Sequence, residues 1–105
     1  MLENEYQDKL IKRIKLRHPD AFILKNDSNY LQGIPDLLVL CEGRWAMLEV
    51  KRSARAKQRP NQDYYVDFFN GIGYASFIYP ENEEAVLNDL QLIFGAPRQA
   101  RRSKR

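Results

Sequence analysis

The chain is expected to form an α/β domain in which a mixed four-stranded sheet is flanked by helices. Three observations predict it. Two apolar runs, Leu37-Leu38-Val39-Leu40 and Trp45-Ala46-Met47-Leu48, stand on either side of a short turn containing Gly43 and read as a β-hairpin. Segments with apolar residues at helical spacing lie near both ends of the chain and in its middle. A further apolar run over 73–79 follows the middle helix, giving the order αβββαβα, which suits helices layered on a sheet.

Each element has its own signal. Leu2, Tyr6, Leu10, Ile11 and Ile14 recur every three or four residues, so 2–17 is an amphipathic helix, ended by His18-Pro19-Asp20. Ala21-Phe22-Ile23-Leu24 is the first strand, and the polar run 25–29 is a loop. The hairpin strands fall near 36–41 and 45–51, and 52–59 is a basic loop. Pro60-Asn61-Gln62 opens the second helix, with proline in its first turn. Tyr64, Tyr65, Phe68 and Phe69 are expected to supply the core-facing side of that helix up to Gly71, with an exposed Tyr64 or Tyr65 as the alternative. Pro80 stops the fourth strand. The last helix, 81–94, carries acids in its first turn, as the helix dipole favours, and turns Val86, Leu87, Leu90 and Ile93 to the sheet.

With 105 residues the chain suits one domain, expected over 1–97, followed by a basic, disordered tail over 98–105. Hydrophobic content of 44% and charged content of 30% are those of an ordinary globular protein. No apolar run reaches the roughly 20 residues that span a bilayer, and the acidic start lacks the regions of a signal peptide. The single cysteine, Cys41, has no internal disulfide partner and reads as a small buried strand residue; together these features suggest a reducing, cytoplasmic location. The net charge of +3 is unevenly spread. Arg98, Arg101, Arg102, Lys104 and Arg105 leave 12 basic against 14 acidic side chains in residues 1–97. A second cluster, Lys51, Arg52, Arg55, Lys57 and Arg59, follows the hairpin directly, as a polyanionic partner would require.

The chemistry concentrates at one end of the hairpin. Asp36, in Gly33-Ile34-Pro35-Asp36, precedes the first strand, and Glu49-Val50-Lys51 ends the second. Strand side chains alternate between faces, so Glu49 and Lys51 point one way and Val50 the other. Pairing of the two strands then brings Asp36 near Glu49 and Lys51. Two converging carboxylates repel unless a cation lies between them, and a hard divalent ion takes such oxygen ligands. His18, the only histidine, reads as a helix cap, and with Cys41 it does not make a zinc site.

The pattern Pro35-Asp36, a spacer and Glu49-x-Lys51 resembles the signature of PD-(D/E)XK nucleases, and Gly33-Ile34-Pro35-Asp36 with the later Gln62 resembles its VRR-NUC branch, to which archaeal-type Holliday junction resolvases are related. The likeness covers roughly residues 3–80. It implies a restriction-endonuclease-like αβββαβ core and a Mg²⁺-dependent DNA endonuclease, with Mn²⁺ able to substitute. Asp36, Glu49 and the backbone carbonyl of Val50 would hold the metal, with Glu3 (or Glu5) of the first helix as a further acid. Lys51 and Gln62 would complete the catalytic set. Lys25 and the two basic clusters would bind DNA. The resemblance further implies branched substrates such as Holliday junctions and a stand-alone form typical of bacteriophages; cutting both strands of a junction then calls for a two-fold homodimer, with Tyr30, Leu31 and the exposed tyrosines of the second helix as its expected surface. The rival expectations are a nuclease acting on duplex ends, flaps or a specific sequence, and a DNA-binding accessory protein that has lost catalysis.

Overall fold

The computed structural model describes residues Met1–Gly95; the tail arginines and lysine, 98–105, lie outside the described residues. The elements run α1 (Glu3–Arg17), β1 (Phe22–Lys25), β2 (Leu37–Cys41), β3 (Arg44–Val50), α2 (Gln62–Ile72), β4 (Ala75–Ile78) and α3 (Glu83–Phe94). The sheet order is β1-β2-β3-β4, with β1, β2 and β3 antiparallel and β4 parallel to β3. The expected mixed four-stranded sheet with three helices is present.

Strand alternation divides the core in two. On one face Leu37, Val39, Ala46, Leu48, Val50 and Ile78 pack against Tyr6, Leu10 and Ile14 of α1 and Val86, Leu87, Leu90 and Phe94 of α3. The two helices are tied by Arg13–Glu83 and Arg17–Glu84 ion pairs, each at 2.7 Å. On the other face Met47, Ala75, Leu38, Trp45 and Phe77 meet α2 alone, through Val66 and Phe69. β3 is an inner strand whose last five residues are all buried, which is why its sequence is apolar without alternation. No helix among the described residues is long and apolar enough to cross a membrane.

Among the boundaries that differ from the sequence-based expectation, three have an identifiable cause. Glu42 and Gly43 both take positive φ (54° and 76°), forming a two-residue turn that lets Arg44 pair with Cys41 and start β3 one residue early. Asn61 sits in the left-handed region (φ 69°), so α2 begins at Gln62, not at Pro60. Asn82 uses its side chain to accept from the Tyr79 N–H and donate to the Phe77 carbonyl, and α3 starts only after it. A larger correction concerns the aromatic side of α2. Tyr64 is 62% exposed and Phe68 48%, while Tyr65 and Phe69 are half-buried, so the helix's fully buried contacts to the sheet are Val66 and Gln62. His18 is buried as the C-cap of α1, its ring edge-on to Phe94, and Cys41 is buried, both as expected.

Candidate active site

One transverse row of the sheet carries the chemistry. The registers Lys25↔Leu37 and Leu37↔Leu48 continue by one step, setting Asn26 opposite Asp36 and Asp36 opposite Glu49. Opposed residues of antiparallel strands share a face, so all three project to the side covered by α2. The Asn26 N–H donates to the Asp36 carbonyl at 2.8 Å, and the Val50 N–H donates to Asp36 Oδ2 at 2.9 Å, fixing that carboxylate across the hairpin. Glu49 is 1% exposed.

The start of α2 closes the site from above. Gly33, at φ +90°, lies so close to Pro60 and Asn61 that an added Cβ would stand 2.6 Å from the Asn61 Cβ. That contact presses the loop leading to Asp36 onto the turn leading to Gln62. Gln62 is buried and bridges the other groups. Its Nε2 donates to Glu49 Oε2 at 2.7 Å, and its Oε1 accepts from Lys51 Nζ at 2.7 Å and from the Arg59 N–H at 2.8 Å. Lys51, also buried, lies 3.8 Å from Glu49 Oε2 and donates to the Lys57 carbonyl at 3.3 Å. The basic loop is thus bonded through its own backbone to both Lys51 and Gln62.

Electrostatics mark Asp36 and Glu49 as a coupled pair. Burial first, and the Asp36 charge second, push the Glu49 carboxyl up to about 8. Burial likewise raises Asp36, opposed by the Val50 N–H, with Glu3 adding to the rise. The interaction between the two carboxyls lowers Asp36 and raises Glu49. Glu49 Oε1 is buried with no hydrogen-bond donor reaching it. A buried, donorless carboxylate oxygen beside a second carboxylate is the environment a hard divalent cation satisfies. No group of three or more His, Cys, Asp or Glu side chains suited to a metal occurs among the described residues. Two carboxylates are still enough for Mg²⁺, which usually keeps waters and completes its octahedron with substrate phosphate oxygens.

Two adjoining clefts open here. One, of about 380 Å³, is lined by Asp36, Glu49, Gln62, Gly33, Ser28 and Asn29. The other, of about 690 Å³, is lined by Lys51, Arg52, Lys57 and Gln58. Glu3, Arg59 and Pro60 border both. Glu3 therefore faces the site, whereas Glu5 accepts the Leu2 N–H at 2.9 Å and serves the helix start. Arg52, Arg55, Lys57 and Arg59 are all exposed, Arg55 away from the lining of either cleft. Lys25 is not brought to the carboxylates. It alternates onto the α1 side of β1 and reaches Asp8 at 3.5 Å. Sequence reasoning missed Asn26, whose place opposite Asp36 becomes visible only once the β1–β2 register is known.

In comparison with known proteins, no family model, no curated protein and no solved structure matches the chain.

Proposed function

We propose that the protein is a divalent-metal-dependent DNA endonuclease, acting on branched DNA and working as a homodimer. The observation that carries the reading is the buried Asp36–Glu49 pair with its donorless Oε1, set beside a buried lysine. Structural ion pairs are normally completed within the protein; this one leaves carboxylate capacity open to a cleft.

Asp36 and Glu49 would hold the ion, with the Val50 carbonyl and, from across the cleft, Glu3 as further oxygens. When bound, Mg²⁺ supplies Lewis-acid polarisation of the phosphoryl group and lowers the pKa of the attacking water. The chain's own residues do the rest. Gln62 holds Glu49 Oε2 and Lys51 Nζ at once, so acid and ammonium are oriented by one amide. Lys51 presents a desolvated positive charge to the phosphate, where it counts most as negative charge grows in the transition state. Arg52, Lys57 and Arg59, on the cleft rim, attract the polyanion and hold its backbone.

Incubation with labelled duplex, flap, splayed-arm and four-way DNA in Mg²⁺ or Mn²⁺ tests the reading. Cleavage should require metal, fall to background in Asp36→Asn and Glu49→Gln, and slow by about 10²–10³-fold or more in Lys51→Ala, the scale of one lost transition-state contact. Metal-dependent cleavage undiminished in Asp36→Asn would refute the site. DNA binding indifferent to metal, with no cleavage of any substrate, would favour an accessory protein.

A further inference from the structure

We propose that Asn26 is the positioning residue for Asp36, an inference that rests on the nuclease reading above. Asn26 follows the last residue of β1 and stands directly opposite Asp36. Its two hydrogen bonds to that stretch fall on the two peptide groups that flank the Asp36 Cα. The side-chain Nδ2 donates to the Pro35 carbonyl at 2.8 Å, and the backbone N–H donates to the Asp36 carbonyl at 2.8 Å. Each peptide group is planar, so fixing both planes fixes the two soft dihedrals of Asp36. The remaining freedom, the two torsions of the side chain, is restrained by the Val50 N–H on Oδ2. Nδ2 also lies 3.4 Å from Met47 Sδ, so the amide is anchored between the Pro35 carbonyl and the inner strand β3.

The side chain at position 26 must be a short donor. Alanine keeps the backbone bond and frees the Pro35–Asp36 peptide. Aspartate has the same shape but turns an acceptor toward the Pro35 carbonyl, and adds a third carboxylate to a row that already holds two. Both changes loosen Asp36 without touching it. The resemblance to known nucleases gives no residue this role; it comes from the register and the bonds alone.

Two readouts, one of them independent of metal and substrate, test the assignment. In metal-free protein, Asn26→Ala and Asn26→Asp should speed hydrogen exchange of the Val50 amide, whose acceptor is the Asp36 carboxylate, by tenfold or more. The Met47 amide, bonded to the Tyr74 carbonyl, should be unaffected. By calorimetry, Mn²⁺ affinity should fall by about 10–100-fold, the usual effect of removing a group that orients a metal ligand. Ile23→Ala, a half-buried change on the opposite face of β1, controls for simple destabilisation and should leave both readouts as in the wild type. Unchanged Val50 exchange and Mn²⁺ affinity in Asn26→Ala would overturn the proposal. Faster Val50 exchange in a protein whose wild type takes up no Mn²⁺ would uphold the clamp and overturn the nuclease reading instead.

Discussion

At the scale of single residues, the buried Asp36 and Glu49 set the proposed function against stability. Burial raises both carboxyls, the Asp36 charge adds to the rise at Glu49 and Glu3 to that at Asp36, so the folded state holds protons that the unfolded chain releases. Such a contribution is fully present below the unfolded value near 4.5 and is lost as pH rises through about 8. The metal-free protein should therefore lose stability across that window. Asp36→Asn keeps an acceptor for the Val50 N–H and removes one of the two crowded charges. It should raise the metal-free Tm at pH 8 by several degrees, since about 1 kcal/mol moves a domain of ~100 residues by roughly 4–8 °C. Mg²⁺ should stabilise the wild type at that pH and not the variant. Thermal scans from pH 5 to 8.5, with and without Mg²⁺, read both effects. A wild-type Tm that climbs steadily through pH 8 without metal would contradict the crowded pair.

At the scale of elements, the site depends on how the start of α2 is docked. Gly33 carries two constraints, a positive φ and a contact too tight for a side chain. Gly33→Ala should destabilise the fold by about 1–3 kcal/mol through backbone strain and overpacking. It should also lower cleavage beyond that loss, because the displaced α2 start carries Gln62 away from Glu49 and Lys51. Denaturant melts paired with rates measured far below the Tm separate the two; full activity in a destabilised Gly33→Ala would show the docking to be structural only. The same contact explains what the sequence disclosed. Glu49, Lys51 and Asp36 were legible because strand period and a short turn fix their mutual placement within one hairpin. The start of α2 was not, because the left-handed Asn61 answers to Gly33, distant in sequence. The face taken by Lys25 depends on the β1–β2 register, which no local pattern reveals. For the aromatics of α2, helical spacing shows that a stripe is apolar, not that a neighbour covers it.

At the scale of the molecule, the sheet is unevenly covered. α1 and α3 share one face, and α2 alone lies on the other. Phe22, Leu24 and Leu40 belong to the face α2 leaves bare and are 62%, 41% and 38% exposed. Tyr64, Phe68 and Ile72 of α2 add 62%, 48% and 63%. At about 200 Å² per large side chain these six expose roughly 600 Å². That exceeds the apolar share of a standard interface, about 800 Å² per partner and some 60% apolar. The six carry no charge, so they do not suit DNA, for which the basic loop and the cleft rim are the proposed contacts. A second copy fits, since a two-fold axis lets the helix of each protomer cover the bare sheet of the other, an isologous contact using one patch twice. Tyr30, 88% exposed in the loop before Asp36, can extend the contact toward the site. Light scattering at micromolar concentration should give twice the 12.4 kDa of one chain. Phe22→Glu combined with Phe68→Glu should return the particle to a single chain while leaving metal-dependent nicking of a simple duplex within a few-fold, because neither residue lines the carboxylate cleft. Paired cuts across a four-way junction should be lost with the dimer, since two strands then meet only one site at a time. A wild type that stays at 12.4 kDa with and without junction DNA would exclude the dimer and leave a nuclease that nicks one strand per encounter.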